Sequence, residues 1–248
     1  MHSNQDTAAQ HDAIREAIGG LIACPIDVGK QGIRVLDSGT GDGTDITDIK
    51  FPKSSHASSI SFRIQSITSA WPGEWTKSFD LVHQRLVLGA CGSFPFPEAV
   101  KNLAALVKPG GWIELIEPDQ TCGIGDGQAM RDFITLVTCV FEHMGGNVRY
   151  AYNIKRWLQE AGMIDIEERS IPLFLGTSIP DQDLARRTAR STADAMLPLL
   201  KYLEMKGCPP PLQQNALDTL SERLHAELLS QGGFYPLRVI YGRAPPDL

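Results

Sequence analysis

The chain has 248 residues, 42% of them apolar, enough for one large domain or two small ones with a sizeable core. Charged residues make up 21% and the net charge is −6, which argues against the basic face that nucleic-acid binding needs. No stretch is apolar over the length a membrane span requires, and no lysine/arginine run suits an anionic membrane surface.

In chain order, the polar opening "MHSNQDTAAQHDAIREAIGG" has no signal-peptide core. Within it, "QHDAIREAIGGLI" has helical apolar spacing and a Gly-Gly stop. "GIRVLDSG" is a short apolar run closed by a turn, which predicts a buried strand. "ISFRIQSI" (Ile60–Ile67) alternates and predicts another, and "SFDLVHQRLVL" begins as a third. "PEAVKNLAALVKPGG" predicts a helix with Pro97 near its start and Pro-Gly-Gly after its end. "WIELIEPD" predicts a strand. Helices follow over "GQAMRDFITLVTCVFEHMGG" and "NIKRWLQEAGM", and "IDIEERSIPLFLG" and "FYPLRVIYGRAP" complete the strands. Between those last two lies a mostly helical stretch, residues 180–231, with an apolar stripe through Leu184, Ala195, Leu199 and Leu203.

Strands alternating with helices predict an α/β fold, a Rossmann-like, doubly wound, mostly parallel sheet in a single domain over residues 1–248. The 180–231 block then reads as a helical lid inserted between the last two strands, or as a homodimer contact. In such sheets ligands bind beyond the carboxyl ends of the strands. Those ends are Asp37–Gly43, Gln65–Thr68, His83–Arg85 and Glu117–Asp119.

The five cysteines, Cys24, Cys91, Cys122, Cys139 and Cys208, are scattered and include no CxxC pair. They predict reduced thiols in a cytoplasmic protein rather than a disulfide framework or a metal site. Cys91 and Cys122 lack an obvious histidine partner for nucleophilic work.

Gly39, Gly41 and Gly43 follow "VLD" directly, so the backbone there can turn sharply and approach a ligand closely. The spacing G-x-G-x-G is neither the dinucleotide fingerprint nor a P-loop. An EF-hand fails because Gly39 and Gly41 occupy positions that need side-chain oxygens. Taken alone, the run reads equally as a tight turn.

The ordered array "RVLDSGTGDG … TDI … SFDLVHQRLVLG … LVKPGGWIELIEPD" resembles the class I S-adenosylmethionine-dependent methyltransferases. "FDLVH", "VKPGGW" and the terminal "GRAP" make it similar to the fungal secondary-metabolism branch, the LaeA-like and UMTA-type enzymes, over about Gln10 to Pro246. The resemblance implies that Asp37, Gly39, Thr40 and Gly41 surround the methionine and ribose parts of the cofactor. It implies that Asp45 binds the ribose hydroxyls, that Gln65, Ser66 and Ile67 flank the adenine, and that His83, Gln84 and Arg85 face the methyl group and substrate. His83 is the candidate general base, set against a packing role. Glu117 and Asp119 would orient an amine or hydroxyl, or make a cap or ion pair. The aromatic residues Trp71, Trp75, Phe94, Phe96 and Phe141 read as pocket lining or core.

One departure stands out. Relatives place a helix and most of a strand, about 20 residues, between the glycine turn and the ribose acid, in keeping with a parallel crossover. Here only Thr44 separates Gly43 from Asp45. The open alternatives are a deletion of the first crossover helix, a segment missing from the given sequence, or a misplaced second strand. The expected function is an O- or N-methyltransferase acting on a small apolar natural product, with no metal. The rivals are an inactive, methyltransferase-like binding protein and an enzyme that rearranges its substrate without methylating it.

Overall fold

The computed structural model describes residues 4–39, 61–119 and 127–247. Thr40, Gly41, Gly43, Asp45, Cys122 and the suspected deletion lie outside the described residues.

The elements are α1 (Asn4–Ile18), β1 (Val35–Ser38), β2 (Phe79–Arg85), α2 (Phe96–Ala104), β3 (Val107–Pro118), α3 (Gln128–His143), α4 (Ile154–Glu160) and β4 (Ile164–Leu175). Four helices follow: α5 (Gln182–Asp194), α6 (Met196–Lys206), α7 (Gln214–Asp218) and α8 (Leu220–Ser230). The last element is β5 (Gly233–Arg243). The described strands form one sheet in the order β1-β2-β3-β5-β4, so the final strand enters between two earlier ones. β1 and β2 run parallel, with Asp37 opposite His83 and Ser38 opposite Gln84.

The chain divides into two compact units. One comprises Cys24–Leu115, Ile154–Glu167 and Tyr241–Leu248. Its β2 reads "FDLVHQR" and is buried at Phe79 and from Leu81 to Gln84. α2 carries Pro97 in its first turn, where its missing N–H costs nothing, and buries Ala99, Val100 and Leu103. It packs on α4, where Phe96 stacks on Trp157 with ring centroids 5.9 Å apart. Burying side chains of this size contributes about 1.5–3 kcal/mol each.

Two sequence expectations change here. The helix over "PEAVKNLAALVKPGG" ends at Ala104, and Pro109-Gly110-Gly111 lies within β3. The reason is long-range pairing: Gly110 N donates to Ala244 O at 3.0 Å, and Ala244 N donates to Gly111 O at 2.9 Å. A Cβ on Gly111 would lie 2.9 Å from Asp80 O, so the close approach of backbones needs glycine. Arg243 adds a hydrogen bond to Gly110 O and sits 6.0 Å from the Trp112 ring centroid. The "VKPGGW" and "GRAP" motifs therefore hold each other.

The second change concerns "ISFRIQSI". Residues 61–66 have no regular structure and Ile67 opens a turn. Gln65 Nε2 donates to Ser66 O and Ala70 O, both at 3.1 Å, and the Ser66 and Thr68 hydroxyls bond at 2.8 Å. Local side-chain bonds of this kind compete with a strand ladder, and alternation alone does not reveal them. "AWPGEW" next to it forms a short 3-10 turn whose Trp75 meets Trp71 and Phe79 at 6.0 and 5.6 Å.

The other unit comprises Met1–Ala23, Ile116–Asn153 and Glu168–Ile240. α5 packs on α1 and α8, and α3 on α6 and α8. Asp181 caps α5, accepting from the N–H groups of Asp183 and Leu184 at 2.8 and 2.9 Å. Those bonds favour its charged form and hold its pKa below the usual carboxylate value. The apolar stripe expected across Leu184–Leu203 is split between two helices, which meet at Ala195, ahead of Pro198.

The start of α3 is capped from another helix. Glu227 of α8 accepts from the N–H groups of Ala129 and Met130, both at 2.9 Å. Gly127 leaves room for that carboxylate, since a Cβ there would lie 1.9 Å from Glu227 Oε1. Glu227→Ala strands two helix-end donors and is expected to lower stability by about 1–2 kcal/mol. A urea titration checks this: the midpoint should fall with the slope unchanged.

Candidate functional site

β1 is short and ends on Asp37-Ser38, after which Gly39 takes a φ of +78°. That left-handed value suits glycine. A Cβ on Gly39 would lie 2.2 Å from Cγ2 of Val87, so the turn is pressed against the segment that follows β2. On that segment Leu86 has φ +58°, an uncommon value for a large side chain. Such strain persists only where the surroundings impose it, and it collects at ligand sites.

The parallel register puts Asp37 and His83 on one face of the β1–β2 pair, and Ser38 and Gln84 on the other. On the first face, His83 Nδ1 bonds Asp37 Oδ1 at 2.8 Å. His83 Nε2 lies 3.6 Å from Glu114 Oε1 of β3. Glu114 is fully buried, and its Oε2 accepts from the Cys24 backbone N–H at 2.6 Å. The imidazole thus sits between two carboxylates, one buried and one on a side chain that is 51% exposed. Arg85 completes the charged group: burial lowers its pKa, opposed by Asp37 and Glu114. Burial, reinforced by Glu114, pushes the Cys24 thiol up to about 12, which removes it as a nucleophile near neutral pH.

On the second face, Ser38 Oγ donates to Gln84 Oε1 at 3.0 Å. Gln84 is fully buried, yet its Nε2 has no hydrogen-bond partner among the described residues. An unmet buried amide costs about 1–3 kcal/mol, so a donor left in this state suits a bound polar ligand.

Of the expected site residues, the structure puts Asp37, Gly39, His83 and Arg85 at the β1–β2 ends and Gln84 beside them on the opposite face. Gln65, Ser66 and Ile67 form their own turn, and none of its hydrogen bonds reaches that group among the described residues. In the other unit, Glu117 accepts from Tyr150 OH at 2.8 Å, and Asp119 pairs with Arg238 at 3.3 Å. Arg238 also pairs with Glu168 and lies over the Tyr152 ring at 4.0 Å. Sequence reasoning missed Glu114 and the Cys24 N–H. One signal was present: a carboxylate in mid-strand between Ile113 and Leu115 must find a partner when buried. Among the described residues no group of histidine, cysteine and carboxylate side chains suits a metal ion. No helix there is long and apolar enough to cross a membrane.

In an open α/β sheet ligands bind beyond the carboxyl ends of the strands, and here the ends of the parallel β1–β2 pair carry an acid, a left-handed glycine and an amide donor unmet among the described residues. Comparison with known proteins agrees: the chain belongs to the methyltransferase family, matching the model described as "Methyltransferase domain" over residues 9–168. It is 31% identical to the N-methyltransferase sirN of Leptosphaeria maculans, across 95% of this chain and 89% of that protein. It is 28% identical to the N-methyltransferase gliN of Aspergillus fumigatus, across 95% and 91%, and 31% identical to the N-methyltransferase tcpN of Claviceps purpurea, across 94% and 91%. The cofactor of this enzyme class is S-adenosylmethionine. The residues present fit it: the glycine turn gives backbone access, Asp37 offers an exposed carboxylate, and Gln84 offers an unmet buried donor.

Proposed function

We propose that this chain is an S-adenosylmethionine-dependent N-methyltransferase acting on a nitrogen of a small, apolar natural product. The choice of nitrogen rests on the names of the relatives sirN, gliN and tcpN. The observation that carries the cofactor reading is the buried, unmet Nε2 of Gln84 beside the Asp37–Gly39 turn. Asp37, Gly39 and Gln84 form the cofactor edge in this reading, with Thr40, Gly41 and Asp45 continuing it and Gln65, Ser66 and Ile67 on the adenine side.

The cofactor supplies a methyl group already activated by a sulfonium, so the protein's task is alignment of the acceptor more than proton transfer. The general-base role expected of His83 is therefore not required. The protein works in the cytoplasm as a single methyltransferase-like domain, with residues 180–231 as a helical insertion between the last two strands.

Isothermal titration with S-adenosylmethionine tests the reading. The expected result is one site per chain, weakened about tenfold or more by Asp37→Asn, which removes the charge of the cofactor-facing carboxylate. A folded protein that binds no S-adenosylmethionine overturns it and favours the inactive binding protein. Turnover of a substrate without S-adenosylhomocysteine favours rearrangement.

A further inference from the structure

We infer that His83 is a positioning residue: a Glu114–His83 pair, braced by the Cys24 backbone N–H, holds the Asp37 carboxylate in its cofactor-facing orientation. The inference rests on the proposed cofactor reading and goes beyond it, because it assigns work to a buried pair that stands behind the Asp37 carboxylate.

The geometry carries it. Asp37 is half-exposed at the end of a four-residue strand, where an unrestrained carboxylate rotates freely. Its Oδ1 is fixed by His83 Nδ1 at 2.8 Å. A hydrogen bond orients its acceptor only if the donor is itself held. His83 is 8% exposed and held by burial; its second nitrogen makes no hydrogen bond among the described residues and lies 3.6 Å from Glu114 Oε1. Glu114 is held in turn, fully buried and anchored by the Cys24 N–H at 2.6 Å. The hydrogen bond to Asp37 sets Nδ1 towards that carboxylate, and Glu114 stands on the other side of the ring. Burying a carboxyl group costs stability unless polar or charged groups lie near it, and Glu114 has the Cys24 N–H bonded to it and the Arg85 charge acting on it. A histidine that only filled core space would need neither carboxylate.

Two substitutions divide the ring into its halves. His83→Asn places an amide nitrogen near the position of Nδ1, within reach of Asp37. His83→Gln places one near Nε2, towards Glu114, and leaves Asp37 unheld. The expected result is that His83→Asn keeps most of the affinity for S-adenosylmethionine, while His83→Gln weakens it about tenfold. In turnover the loss should fall on KM for the cofactor more than on kcat. Melting temperatures of the two variants should match within a few degrees. Equal losses in both, or losses that track melting temperature, overturn the inference. If His83→Gln does not fold, Glu114→Gln decides. It keeps an acceptor for the Cys24 N–H but loses the charge facing Nε2, and should weaken the cofactor roughly threefold or more. Wild-type affinity in Glu114→Gln then overturns the inference. Wild-type protein that binds no cofactor overturns the parent reading as well, whereas wild-type binding with equal variants overturns this inference alone.

Discussion

Gly39→Ala is expected to weaken S-adenosylmethionine binding at least about tenfold, with a lower melting temperature. Two costs combine. Alanine at φ +78° sits in the left-handed region, which costs about 1–2 kcal/mol. Its Cβ would also stand 2.2 Å from Cγ2 of Val87, far inside van der Waals contact. Val87 is buried and β-branched, so its χ1 has little freedom to swing away. The turn must then move off the β2 segment, and Asp37, two residues back, moves with it. The double variant Gly39→Ala/Val87→Ala separates the two costs. It should recover part of the affinity, because the clash goes and the backbone cost stays. Isothermal titration with a parallel thermal melt measures both. Wild-type affinity in Gly39→Ala would show that the glycine is only a turn residue.

Gly176→Ala is expected to be the most destabilising single substitution proposed, by about 3 kcal/mol or more. Gly176 follows β4 with φ +59°. A Cβ there would lie 2.0 Å from the Leu228 carbonyl oxygen and 2.6 Å from its carbon. Both are main-chain atoms inside α8, so no change of rotamer relieves the contact. Gly176 N also donates to Thr188 Oγ1 at 3.1 Å, so the same turn is tied to α5. Moving it disturbs β4, α5 and α8 together. Denaturant unfolding, or soluble yield if the variant does not fold, gives the outcome. A midpoint within error of wild type would mean that α8 shifts at little cost. Thr188→Val is the milder companion: it removes the hydroxyl that accepts from Gly176 N and donates to Ala185 O, and should cost about 1–2 kcal/mol.

Much of the candidate site was legible before the structure. Asp37 and Gly39 were marked by an apolar run that stops abruptly at glycine, and His83 and Gln84 by their place at the end of "FDLVHQR". Strand ends can be read in this way because period and punctuation are local signals. Three features resisted reading for the opposite reason. Gln65, Ser66 and Thr68 satisfy one another within a turn, so alternation misled. Pro109-Gly110-Gly111 reads as a stop, but its partner Ala244 lies more than 130 residues away in sequence. Glu114 reads as an oddity in a strand until Cys24, His83 and Arg85 meet it.

The sequence alone therefore determined the kind of fold, the strand ends that carry polar residues and the family whose ordered motifs it shares, all of which depend on residues close together along the chain. Only the tertiary structure decided that His83 lies between Asp37 and Glu114, that Val87 closes on Gly39 and that the Gln84 amide donor is unmet among the described residues. Those facts depend on the register of β1 against β2 and on the burial that a neighbouring strand imposes. Neither is encoded in the spacing of residues along one strand.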